Sequence, residues 1–150
     1  MEAEGRRREE HHAGGGVLEE TALELAAAVI RVAGLARRDP PSASRDRARI
    51  ARLLRQLEAR AVEPNSLGEL AESAGLSPYH FLRTFKGVTG VTPHQWLLRA
   101  RLRWAAGRLV GSRRPVTEIA LASGFDDLSN FIRTFRAEFG LSPRQYRARG

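Results

Sequence analysis

The sequence predicts an all-α fold: a seven-helix domain with two helix-turn-helix units joined by a long helix, preceded by an extra N-terminal amphipathic helix. Three observations predict it. A segment of about thirty residues occurs twice at a nearly fixed offset, apolar residues recur at helical spacing, and helix start and stop residues bracket each periodic run.

Residues 1–16 mix charges with Gly14-Gly15-Gly16 and read as a disordered segment. Residues 17–38 read as an amphipathic helix, with apolar residues at 18, 22, 25, 26, 29, 32 and 33. Residues 39–46 read as a linker, because Pro40 and Pro41 remove amide donors and block helix continuation. The tandem domain is then expected over 47–150, opening with a helix from Arg47 to Arg60.

The repeat sets Leu67–Trp96 beside Val116–Tyr146. Glu69, Leu70, Ala71 and Gly75 recur 49 positions later as Glu118, Ile119, Ala120 and Gly124. Phe81, Arg83, Thr84, Phe85, Gly90, Pro93 and Gln95 recur 50 positions later as Phe131, Arg133, Thr134, Phe135, Gly140, Pro143 and Gln145. One residue is therefore inserted between the turn glycine and the first phenylalanine.

Each copy reads as helix, tight turn, helix. In the first, Ser66 and Glu69 make a capping box, and Gly75 supplies the backbone freedom that the reversal needs. Ser77 then caps the next helix, and Pro78 takes its first turn. That helix is expected to bury Phe81, Phe85 and Val88 and to end at Gly90. The second copy substitutes Pro115 for the serine cap, takes Asp126 as the next cap and buries Phe131, Phe135 and Phe139. Thr92-Pro93 opens the joining helix, with Trp96 and Trp104 expected in the core, and Ser142-Pro143 opens a short last helix.

Charge divides along the same boundary. Residues 1–44 carry six Arg against eight Asp/Glu, whereas residues 45–150 carry nineteen Lys/Arg against nine Asp/Glu, a net of +10. So basic a repeat implies a polyanionic partner, nucleic acid or an anionic membrane surface. No cysteine is present, which excludes disulfides, cysteine-ligated zinc and thiol chemistry. His11-His12 has no further ligands nearby and Gly14–Gly16 lacks phosphate-loop context, so neither metal nor cofactor is expected. No nucleophile–base pair or carboxylate pair stands out, and the chain is read as a non-enzyme. The first twelve residues are charged, and the apolar stretch at 18–35 is broken by Glu19, Glu20, Glu24 and Arg31. A secretory signal and a membrane span are therefore not expected, and the protein is read as soluble and cytoplasmic.

A recognition helix buries one face and offers the other to the major groove. Opposite Phe81 and Phe85 stand Tyr79, Leu82, Arg83 and Lys86; opposite Phe131 and Phe135 stand Ser129, Ile132, Arg133 and Arg136. Arg83 and Arg133 suit base reading, because a guanidinium bonds guanine O6 and N7 together. Leu82 and Ile132, expected to be exposed, suit thymine methyl groups, with peripheral core packing as the plainer alternative. Lys86 and Arg136 suit phosphate, as do Arg99 and Arg103 on the joining helix, where Arg101 and Arg108 are further candidates. The plainer alternative for each arginine is a solvated charge or a pair with an acid.

These motifs carry a resemblance. Ser66-Leu67-Gly68-Glu69-Leu70-Ala71, Gly75-Leu76-Ser77-Pro78-Tyr79-His80-Phe81 and Thr92-Pro93-His94-Gln95-Trp96 in the first copy have counterparts in the second. Those are Thr117-Glu118-Ile119-Ala120, Gly124-Phe125, Phe131-Ile132-Arg133-Thr134-Phe135 and Phe139-Gly140-Leu141-Ser142-Pro143. Residues of about 48–149 resemble the DNA-binding domain of the AraC/XylS family of bacterial transcription regulators. The resemblance implies recognition helices in successive major-groove segments, acting on an asymmetric site. Carried onto this chain, it implies base reading by Tyr79, Leu82 and Arg83, and by Leu128, Ser129, Ile132 and Arg133. Leu82, Leu128 and Ile132 depart from the longer polar residues usual there, which shifts weight toward few contacts plus DNA shape.

Forty-four residues are too few for the β-barrel sensor that such regulators often carry, and helix 17–38 resembles the tail end of one. RNA polymerase and a second copy of the chain, docked through helix 17–38, are the further candidate partners. The alternative function is a protein-interaction module that uses this helix and binds DNA only weakly.

Overall fold

The computed structural model describes residues 21–26, 28–29 and 43–150, and every regular element among them is helical. The expectation for residues 1–16 lies outside the described residues. The 17–38 helix is described at 21–26 and 28–29 only, where it is helical. Seven helices follow: α1 (Ala43–Arg60), α2 (Leu67–Ser73), α3 (Pro78–Thr89), α4 (Pro93–Gly111), α5 (Val116–Ala122), α6 (Leu128–Phe139) and α7 (Pro143–Arg147).

The start of α1 corrects one boundary. The helix begins at Ala43, so residues 43–46 belong to its first turn rather than to a linker. Nothing after Pro41 forbids helix, and Asp46 places a carboxylate near the N-terminus, where the helix dipole favours it. Asp46 is buried and meets Arg49 at 3.6 Å and His80 at 3.0 Å, so it also ties α1 to α3. Ile50, Leu53 and Leu57 continue the buried stripe of α1 at spacings of three and four.

The chain forms two compact units, one of residues 1–57 and 65–95, the other of 58–64 and 96–150. The first contains the α2–α3 pair. Ser66 Oγ accepts from the Glu69 amide at 3.2 Å while the Ser66 amide donates to Glu69 Oε2 at 2.8 Å, the reciprocal cap that the sequence announces. Gly75 takes φ +64°, a conformation costly for any residue with a Cβ, and lets α2 turn into α3. Phe81 and Phe85 are fully buried, with ring centroids 5.5 Å apart. Val88, expected with them, is 38% exposed. The seven residues of α2 offer roughly 10 Å of length against roughly 18 Å in α3, so the last turn of α3 has less to pack on.

The second unit has its own aromatic core. Phe125, Phe131 and Phe135 are buried with Leu102, Leu109 and Ile119, and Phe139 and Tyr146 pack against them. Phe135 meets Tyr146 edge-on at 5.4 Å and Phe139 at 4.6 Å, which fastens α7 to α6. Trp104 only leans on this core and, like Trp96, is half-buried rather than internal. Pro115 is the N-cap of α5 and makes no side-chain cap, as expected, whereas the cap of α6 is Asp127 and not Asp126. Offset 50 from Ser77 leads to Asp127, because the inserted residue falls before the cap.

Candidate nucleic-acid interface

In the second unit, α6 presents the face that its sequence implies. Phe131 and Phe135 are fully buried, while Ser129, Arg133 and Arg136 are exposed and Ile132 is 38% exposed. Leu128 is half-buried against the core, so only part of its side chain faces outward. Asp127 starts the helix by accepting the amides of Ser129 (3.1 Å) and Asn130 (2.8 Å). Arg133 Nη2 donates to Asn130 Oδ1 at 3.0 Å. That bond steadies the guanidinium on the helix surface and uses one of its five N–H donors, leaving a donor fork for an acceptor outside the protein. Asn130 is a participant that pattern reading missed; its position three residues before Arg133 was the available signal.

The equivalent face of α3 is different. Arg83 and Lys86 are exposed and Tyr79 is half-buried, but Leu82 is only 3% exposed, against the expectation of an outward methyl reader. All four line an open cleft of about 300 Å³ whose other wall is Thr21, Glu24, Leu25 and Ala28. Lys86 Nζ donates to Glu24 Oε1 at 2.8 Å. Nothing local in the sequence marks a contact across 62 positions.

The arginines of α4 divide. Arg99 and Arg103 are exposed, with Arg99 3.7 Å from Glu138 and Arg103 3.5 Å from Glu58. These are long surface pairs, and such pairs are weak enough to exchange for phosphate. Arg101 instead serves the fold. Its Nε donates to Ala61 O at 2.9 Å, and its Nη atoms donate to Gly124 O at 3.3 Å and Glu63 O at 3.2 Å. Burial pulls this guanidinium below its ordinary pKa, with the charge of Asp126 acting the other way. Arg108 is also exposed, and its guanidinium lies 5.0 Å above the Trp104 ring. Among the described residues no cluster of His, Asp and Glu is arranged to hold a metal ion, and no helix is long and apolar enough to cross a membrane.

Comparison with known proteins agrees with this geometry. A family described as a helix-turn-helix domain matches residues 70–149. The chain belongs to the AraC/XylS family. Over 95 residues it is 39% identical to the right origin-binding protein of Escherichia coli, a match that covers 63% of this chain and 33% of that protein. Two AraC/XylS-like solved structures share the fold. One is an AraC-type regulator from Chromobacterium violaceum, with a TM-score of 0.64 and 31% identity, covering 67% of this chain and 90% of that one. The other is the DNA-binding domain of the global transcription factor AdpA in complex with a target DNA, with a TM-score of 0.62 and 32% identity, covering 66% and 89%. The chain spans about a third of the length of the curated relatives it matches.

Proposed function

We propose that this chain is a sequence-specific transcription regulator that places α3 and α6 in successive major-groove segments of a DNA duplex. The observation that carries the reading is α6. One of its faces is locked by Phe131 and Phe135, and the other offers Ser129, Ile132, Arg133 and Arg136 outward. The net charge of +10 over residues 45–150 supplies the sequence-independent part of the attraction. Arg83 and Arg133 read bases, with Tyr79, Leu128, Ser129 and Ile132 shaping the fit. Lys86, Arg99, Arg103 and Arg136 hold phosphates, three of them exchanging a protein carboxylate for a phosphate oxygen. Tyr79 and Ser129 occupy equivalent positions but are different in kind, so the two helices read different bases and the site is asymmetric. Such a regulator works in the cytoplasm, acts on RNA polymerase at the promoter and needs neither a catalytic step nor a cofactor.

Selection of bound sequences from a random duplex pool tests this reading, and a two-block, non-palindromic site is the expected result. On that site, Arg83→Ala and Arg133→Ala each cost about 1–3 kcal/mol and relax preference at one position. Equal losses on random duplex would remove the base-reading role. Alanine at a phosphate contact instead weakens all sequences alike and lowers the salt slope by about one.

A second reading is favoured by Val29, which is 67% exposed and does not line the cleft against α3. In it, the N-terminal helix pairs with a second copy of the chain. Sedimentation at rising concentration decides, since a single mass throughout excludes the pairing.

A further inference from the structure

We propose that the recognition face of α3 is a shared docking surface: the chain's own segment 21–29 occupies it in the free protein, and a duplex must displace that segment to bind. The inference rests on the DNA-binding reading above and adds a competitor to it.

Three observations converge. Thr21, Glu24, Leu25 and Ala28 line the cleft opposite α3 at spacings i, i+3, i+4 and i+7, so a single face of the segment is turned toward it. Glu24 then puts a carboxylate oxygen 2.8 Å from Lys86 Nζ, where a phosphate oxygen would otherwise sit. Residues 13–30 contain three Glu and neither Lys nor Arg, so the segment bears the same sign of charge as the nucleic acid. Leu82, in the same cleft, is 3% exposed, whereas Ile132, its counterpart fifty positions later, is 38% exposed.

A helix is roughly 10 Å across with its side chains, so it and a duplex cannot use one recognition face together. Being covalently attached, the segment competes at a high effective concentration without needing tight contacts. The Glu24–Lys86 ion pair is more than half exposed on the lysine side, which limits its contribution to a modest one. The measured DNA affinity is then the intrinsic affinity scaled by the fraction of chains in which α3 is uncovered.

The chain is free of cysteine, so Ala26→Cys carries a single spin label at an exposed position away from the cleft. In the labelled full chain, amide resonances of residues 79–86 should be broadened without DNA. A 30-base-pair duplex should relieve that broadening at the same molar ratio at which the α6 resonances shift. Glu24→Lys, which sets two ammonium groups against each other, should tighten duplex binding about three- to tenfold at low salt and much less at high salt. Absent broadening in the free chain overturns the proposal, and so does broadening that persists while α6 resonances shift; both leave the DNA-binding reading standing. If no resonance responds to duplex and neither Glu24→Lys nor the parent chain binds it, the DNA-binding reading fails and this one with it.

Discussion

The two helix-turn-helix copies make their reversal with the same parts. Each turn glycine sits at positive φ, +64° at Gly75 and +84° at Gly124. Each turn carbonyl accepts from an arginine of the helix that precedes the pair, Arg49 of α1 at 3.1 Å and Arg101 of α4 at 3.3 Å. Each second helix buries a phenylalanine pair and ends on a left-handed glycine, Gly90 or Gly140. What surrounds these parts differs. Arg101 is half-buried and holds two further carbonyls, whereas Arg49 is exposed and leans on Asp46. The outer face of α6 is exposed, whereas that of α3 lines a cleft together with Thr21, Glu24, Leu25 and Ala28. The repeat has kept the geometry of the turn and let the cover and the staples diverge.

The staples give the largest contrast. Arg101→Ala removes the donor for three carbonyls, two of them in partly buried surroundings, and hydrogen bonds from a charged donor are individually strong. A loss of about 2–4 kcal/mol is expected from urea unfolding, and Arg101→Lys should not restore it, because one ammonium cannot span the fork. Arg49→Ala gives up one exposed bond and a long ion pair, and should cost below about 1 kcal/mol. Equal losses would mean that burial does not separate the two arginines.

The turn glycines come next. Alanine at either pays roughly 1–2 kcal/mol for the left-handed backbone. At Gly75 the new Cβ meets Arg49 Nη1 at an ordinary 3.7 Å. At Gly124 it would lie 3.2 Å from Arg101 Cζ and 3.3 Å from Nε, so the guanidinium must retreat from the carbonyls it serves. Thermal unfolding of both variants should find Gly124→Ala the more destabilised by about 1 kcal/mol. The excess should vanish when Arg101→Ala is already present, since the two changes share one interaction.

The framework was legible in the sequence because its determinants are local. Ser66 with Glu69, Ser77 before Pro78, and the Phe81/Phe85 stripe each act within one or two turns of helix. The repeat then doubled the phenylalanine stripe and the glycines at the turn and the helix end, although not the serine cap. What escaped was non-local or degenerate. Arg101 looks like Arg99 and Arg103 as a string of letters, and only packing separates the fold's staple from the phosphate candidates. Leu82 lines a cleft with residues about sixty positions away, a neighbourhood that no local pattern marks. Asp126 and Asp127 are adjacent and chemically alike, so the insertion before them left the cap ambiguous until backbone geometry chose Asp127.

That choice supplies the smallest contrast between the copies. Asp127 accepts two amides, at 3.1 and 2.8 Å, and sets a negative charge at the positive end of the α6 dipole. Ser77 accepts one, at 3.4 Å, with no charge. Asp127→Ala should therefore cost about 1–2 kcal/mol and Ser77→Ala about 0.5 kcal/mol, read as shifts in urea midpoint at unchanged slope. Asp127→Asn keeps an acceptor oxygen but loses the charge, so it should fall between them, and added salt should narrow its gap to the parent chain. If Asp127→Asn matches Asp127→Ala at every salt concentration, charge alone makes the cap. If it matches the parent, the hydrogen bonds suffice, and the two copies differ at this position only in how many amides they satisfy.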